Sequence, residues 1–226
     1  MPGRVDHTEE SVKLNHTQIQ FAIAPIIKRR YPLPLSACFL VDALSYNFVL
    51  AMSTSTDFDV IVVGAGFGGL YAIHKLRSLG FSVKAFEAGS DVGGTWFWNR
   101  YPGCSCDVES IHYSYQFDRD LQQDWVWTER YATQPEILSY INHVADRFDL
   151  RRNILFETRV TAATFIEVKG ASARSHWHVE TDGGKSYTAR FCIMATGCLS
   201  TPNLPDIEGR DSFKGAAYHT GQWPHE

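Results

Sequence analysis

Residues 59 to 87 restrict the fold of this chain more than any other stretch. Asp59 to Val63 is a short apolar run with β-branched residues, the pattern of a buried parallel strand. It runs directly into Gly64-Ala65-Gly66-Phe67-Gly68-Gly69, which fits G-x-G-x-x-G. Leu70, Ile73, Leu76 and Leu79 then recur at helical spacing, with Gly80 as the stop signal. Phe81 to Phe86 reads as a second strand and closes on Glu87. Strand, glycines, helix, strand and acid in this register predict a βαβ unit built to hold a dinucleotide.

Each residue type has a physical reason. Gly64 permits the tight turn, Gly66 lets a pyrophosphate approach the backbone, and Gly69 lets helix and strand pack closely. The helix N-terminus supplies unpaired N–H groups and a partial positive charge for the phosphates. Glu87 falls 18 residues after Gly69, where an acid can accept hydrogen bonds from a ribose 2′-OH. Its charge also argues against a 2′-phosphorylated ligand at this site. FAD and NAD both remain open on these residues alone.

The remaining elements fit the same architecture. Thr133 and Glu136 have capping-box spacing, and Ile137, Ile141, Val144 and Phe148 predict an amphipathic helix over 134–150. Asn153 to Phe156 reads as a short parallel strand. Runs at 160–168, 175–180 and 187–194 suggest a β-meander, with Asp182-Gly183-Gly184 as the hairpin turn between the last two. The fold class expected is α/β: a Rossmann-like parallel sheet with helices on both faces plus a β-meander. His176 and His178 flank Trp177 on one face of a strand and read as solvated histidines, not a metal site. Trp125 and Trp127 read as packing.

Composition bounds the partners. The chain has 226 residues, 21 Lys plus Arg against 25 Asp plus Glu, and a formal net charge of −4. That balance lacks the basic footprint of a nucleic-acid-binding protein. No stretch reaches the roughly 18 uninterrupted apolar residues of a membrane span; Ala37 to Met52 comes nearest and is broken by Asp42. The five cysteines, Cys38, Cys104, Cys106, Cys192 and Cys198, are odd in number and lack zinc-type spacing, so free thiols and a cytoplasmic location are expected. Residues 1–54 read differently from the rest, with mixed charge and no clear period. They match neither a secretory signal nor a mitochondrial presequence. They are expected to be a disordered extension or a mis-assigned start, with the folded domain beginning near Ser55. The sequon at Asn15 carries little weight without a secretory signal.

Three later stretches carry a family resemblance. They are Gly93-Gly94-Thr95-Trp96-Phe97-Trp98-Asn99-Arg100-Tyr101-Pro102-Gly103 with Cys106-Asp107-Val108-Glu109-Ser110 after it; Ala195-Thr196-Gly197; and Phe213 to Pro224, which matches F-x-G-x-x-x-H-x-x-x-W-P. Together with the glycine motif, they make residues from about 57 to 226 resemble the Baeyer–Villiger monooxygenases, a branch of the class B flavoprotein monooxygenases. The resemblance implies FAD as cofactor, with NADPH as co-substrate in the complete enzyme. It also implies O2-dependent conversion of a ketone to an ester or lactone through a peroxyflavin. Gly64, Gly66 and Gly69 would cradle the FAD pyrophosphate, with Glu87 on the adenosine ribose. Thr95 and Trp96 would lie on the flavin side, and Asp107 beside the isoalloxazine where the nicotinamide docks, the position of a catalytic residue. Tyr113 would also contact FAD, and the backbone of Val160 would meet the adenine. His219 would belong to the hinge between the FAD and NADPH domains. At least one of Trp96, Phe97 and Trp98 is expected in the core.

The chain holds a single G-x-G-x-x-G. It is therefore expected to comprise a FAD-binding domain over 55–210 and, at 211–226, the start of a hinge to an NADPH-binding domain that is missing from it. Taken alone it is expected to be inactive. The alternatives from the residues are an N- or S-oxygenating flavin-containing monooxygenase and a non-catalytic FAD-binding remnant. A nicotinamide-only dehydrogenase would leave the 93–103 and 195–197 stretches without a task. No residue here names the substrate or the oligomeric state.

Overall fold

The computed structural model describes residues 56–168 and 174–224. The N-terminal extension with its sequon, and Cys38, lie outside the described residues.

The glycine motif does what its spacing predicts. β1 (Phe58–Val63) leads through the glycine turn into α1 (Phe67–Ser78), and β2 (Val83–Phe86) pairs in parallel with β1. Leu79 is the C-cap of α1, and Gly80 takes the left-handed conformation (φ 80°) that a side chain disfavours. A four-residue helix α2 (Thr95–Trp98), a longer loop and α3 (Arg119–Asp124) precede α4 (Gln134–Arg147). β3 (Ile154–Leu155) then joins the edge beside β2, in parallel.

The chain returns to the sheet centre through three antiparallel strands, β4 (Val160–Ile166), β5 (His176–Thr181) and β6 (Ser186–Met194). β6 lies parallel to β1, which gives one six-stranded sheet of order β3-β2-β1-β6-β5-β4. The turn at Asp182-Gly183-Gly184 closes as expected, with Gly184 N–H donating to the Thr181 carbonyl at 3.0 Å.

The side-chain alternation of β1 sorts two cores. Val60 and Val62 face Leu70 and Ile73 of α1 together with Ile137 and Ile141 of α4. Ile61 and Val63 face the other way, onto Phe86, Val179 and Ala189, with Trp177 and Tyr187 against them. Both long helices therefore share one face, and among the described residues the expected helical layer on the second face is replaced by the meander. The cause is topological: the return from β3 to β6 runs through strands whose aromatic residues, such as Tyr187 at 4.8 Å from Phe86, cover that face. α4 is buried on two sides, because Tyr140 and Val144 meet Leu121 of α3 in a third cluster.

Two local details depart from the sequence reading. Thr133 is the N-cap of α4 but makes no side-chain cap, and the expected capping box does not form. Glu136 instead accepts from the Thr128 N–H at 2.7 Å, which ties the preceding loop to the helix. The helix also stops at Arg147 rather than Leu150, since Asp149 adopts φ 48°.

Candidate functional site

The site forms where three distant stretches meet over the C-terminal ends of β1 and β6. Gly64 N–H donates to the Phe86 carbonyl at 2.8 Å, and Ala195 N–H to the Val63 carbonyl at 2.8 Å, so the glycine turn is held between β2 and the chain leaving β6. Gly64 has φ 103°, and a Cβ there would stand 2.5 Å from the Ala195 carbonyl oxygen. Gly93 N–H donates to the Ala65 carbonyl at 3.1 Å, which seats the second glycine pair on the first loop. A Cβ on Gly94 would lie 2.9 Å from Gly66 Cα, and one on Gly66 3.2 Å from Gly94 Cα. Backbone thus meets backbone at both crossings, and Gly66 and Gly94 together leave bare main chain facing a cleft.

The cleft is lined by Gly64, Gly66, Glu87, Gly94, Val160 and Ala195, with Phe86, Ala88, Trp98, Thr158, Arg159, Thr196, Ser200 and Thr201 completing its walls. α1 begins at its edge with Gly66 as N-cap, no side-chain cap and no acid in the first turn. Its leading N–H groups and partial positive charge are thus left for an anionic ligand.

Glu87 is 5% exposed. Its Oε2 accepts from the Ala65 N–H at 2.7 Å and its Oε1 from the Gly89 N–H at 2.8 Å. The carboxylate therefore braces the glycine loop, and each oxygen retains further acceptor capacity. That dual role was not legible from spacing, which pointed only to a ribose.

The other candidate residues separate into two groups. Gly64, Gly66, Glu87 and Val160 line the cleft. Gly69 is buried at the α1–β1 crossing, where a Cβ would overlap the Gly64 carbonyl, so it shapes the cleft without lining it. Trp96 is core: it is 6% exposed and meets Tyr113 edge-on at 5.4 Å, and Tyr113 meets Phe67, the first residue of α1, at 5.5 Å. Asp107 is exposed. Burial raises the Tyr113 phenol above its usual range, and the neighbouring Cys106 and Asp107 add to this. Thr95 opens α2, half-buried. Thr95, Trp96, Asp107 and Tyr113 do not line the cleft; Trp96 and Tyr113 gather near the start of α1 instead, with Asp107 beside them.

Trp98 and Arg159 line the cleft but were not among the sequence candidates. Their only signals were position: Trp98 closes the aromatic trio, and Arg159 immediately precedes Val160. His219 has a local task, its Nδ1 accepting from the Gly221 N–H at 3.0 Å to cap a 3-10 turn. Cys104 and Cys106 are buried free thiols, and no cluster of His, Cys, Asp or Glu among the described residues could hold a metal. No helix among the described residues is long and apolar enough to cross a membrane.

Comparison with known proteins agrees with this fold. A family model described as an NAD(P)-binding Rossmann-like domain matches residues 62–125. A Baeyer–Villiger monooxygenase from Pseudooceanicola batsensis is 50% identical over 173 residues, 76% of this chain and 31% of that protein. A phenazine N-monooxygenase from Lysobacter antibioticus is 45% identical over 170 residues, 75% of this chain and 30% of that protein. The crystal structure of OTEMO in complex with FAD and NADP superposes with a TM-score of 0.69 at 45% identity, covering 76% of this chain and 32% of that one. The chain spans about a third of the length of the curated relatives it matches. In sequence and in fold, the chain is similar to about a third of a Baeyer–Villiger monooxygenase.

Proposed function

We propose that this chain is the FAD-binding part of an NADPH- and O2-dependent flavoprotein monooxygenase that acts on a ketone. The observation that carries the reading is the double crossing of Gly64 on Ala195 and Gly66 on Gly94, which opens a main-chain-lined cleft at an uncapped helix start with Glu87 in its wall. A Cβ at any of these glycines would fill space or displace backbone, so the cleft fits a ligand whose pyrophosphate must approach the main chain.

In this reading Gly66 and the first turn of α1 hold the pyrophosphate, and Gly64 and Gly69 set the turn and the helix contact that shape its bed. Glu87 keeps the loop in place and accepts from the ribose hydroxyls, and Val160 offers its backbone to the adenine. Thr95, Trp96 and Tyr113 support the flavin side near the start of α1. Exposed Asp107 presents its carboxylate there, where a second nucleotide would dock. Bound FAD supplies the redox centre that accepts electrons from NADPH and reacts with O2. A cytoplasmic location is part of the same proposal.

N-oxygenation is the second reading, favoured by the 45% identity to a phenazine N-monooxygenase. The test is to give the full-length protein carrying this chain NADPH, O2 and parallel panels of ketones, sulfides and N-heterocycles. Ester or lactone product supports the proposal. N-oxide product with no ester assigns the second reading, and sulfoxide as the sole product, or no substrate-dependent NADPH oxidation at all, refutes both.

A further inference from the structure

Among the described residues that line the cleft, Arg159 is the sole Lys or Arg and Glu87 the sole acid. Their states differ. Both Glu87 oxygens already receive backbone N–H groups. The Arg159 side chain is exposed, and its guanidinium has no hydrogen-bond or ion-pair partner among the described residues. Other arginines of the fold are tied down: Arg147 to Asp124, Arg151 to Asp91 and Asp146, Arg190 to Asp59.

The root of Arg159 is nevertheless fixed. Its N–H donates to Asp182 Oδ1 at 3.2 Å, and its carbonyl accepts from the Asp182 N–H at 2.9 Å. The β5–β6 turn thus clamps the Arg159 backbone on both sides and leaves the guanidinium alone free to reorient within the cleft wall. Its place along the cleft decides what it can meet. The uncapped helix start that suits phosphates belongs to Gly66, whereas Arg159 sits between Thr158, whose N–H donates to the Glu87 carbonyl at 2.9 Å, and Val160. That sets Arg159 beside Glu87, where the proposed reading puts the ribose and the adenine. A planar, weakly hydrated guanidinium there matches the π-face of a purine.

We infer that Arg159 is a specificity-determining residue for the adenine end of the ligand, stacking its guanidinium on the purine. The inference rests on the proposed dinucleotide site but does not require that the rest of the ligand be a flavin.

Calorimetric titration of the 226-residue chain with ADP, and separately with FAD, tests it. Arg159→Ala is expected to weaken both ligands about fivefold, because an exposed cation–π or stacking contact carries on the order of a factor of two to five. Stacking is short-range, so that ratio should persist when the salt is raised to about 0.5 M. Arg159→Lys keeps the charge without the plane and should recover only a minor part of the loss. Unchanged ADP binding by Arg159→Ala overturns the inference. Full rescue by Lys together with loss of the ratio in high salt also overturns it, since Arg159 would then serve a phosphate. If ADP binds in an Arg159-dependent manner but FAD does not bind, the flavin reading falls and this inference stands. If Gly66→Ala abolishes FAD binding while Arg159→Ala has no effect, the reverse holds.

Discussion

Two neighbouring glycines, Gly68 and Gly69, should respond to alanine with opposite sign. A Cβ on Gly69 would overlap the Gly64 carbonyl oxygen and lie 2.9 Å from its carbonyl carbon, both main-chain atoms that no rotamer change can move. Relief requires α1 to lift away from β1. Leu70 and Ile73, both fully buried, anchor that contact, and a gap of about 1 Å already forfeits a quarter to a half of a dispersion contact. Overpacking against backbone at such a crossing costs about 3 kcal/mol, a large fraction of the roughly 5–15 kcal/mol that stabilises a domain. A Cβ on Gly68 would meet only the Ala195 side chain at 3.9 Å, an ordinary contact. Gly68 lies in the first turn of α1, so alanine there should stabilise by about 0.5 kcal/mol through lower unfolded-state entropy and better helix propensity. Urea denaturation followed by tryptophan fluorescence and circular dichroism measures both variants against the parent. The reasoning fails if Gly69→Ala costs less than about 1 kcal/mol, or if Gly68→Ala is the more damaging of the two.

Glu87→Gln should destabilise the chain by about 2 kcal/mol even without ligand, because one of the N–H groups of Ala65 and Gly89 would face an NH2 group; chemical denaturation at neutral pH checks this. His74 stacks on Phe117 at 4.3 Å and meets Phe148 edge-on at 4.8 Å. Burial holds its pKa below the usual 6.5, helped by the Arg77 and Lys75 charges and opposed by Asp118. The folded state therefore disfavours the protonated ring, so its contribution is intact above about pH 6.5 and is lost as pH falls from there toward the lower folded pKa. Denaturation midpoints should drop across that window more steeply for the parent than for His74→Gln, and parallel slopes would refute the assignment. Burial pushes the Cys192 thiol up to about 11, so at pH ~8 iodoacetamide should label exposed Cys198 well before Cys192 in peptide mass spectra.

What could be read from the sequence was local. The strand–glycine–helix–strand unit is legible because its signals, β-branched run, glycine spacing and helical leucines, lie within thirty residues of one another. The meander was legible for the same reason, and its strands end within two residues of the expected positions. Interactions across the fold were not. The Thr133–Glu136 box failed because a loop N–H at Thr128 claims the Glu136 carboxylate. No periodicity announces that Ala195 sits on Gly64 or Gly94 on Gly66; only the family resemblance put those stretches at one site. Trp96 lies in the core, as at least one of the three aromatics was expected to, whereas Trp98, two residues on, reaches the cleft. A four-residue helix distributes its side chains around its axis, and a sequence alone does not say which of them faces in.

The central claim is that the cleft over Gly64, Gly66 and Glu87 holds FAD, and the direct measurement is a flavin titration of the purified 226-residue chain. The account expects saturable binding of one FAD per chain, displaced by ADP, with NAD+ unable to compete at equal concentration. Folded chain that takes up no FAD, or that binds NAD+ in its place, would contradict it.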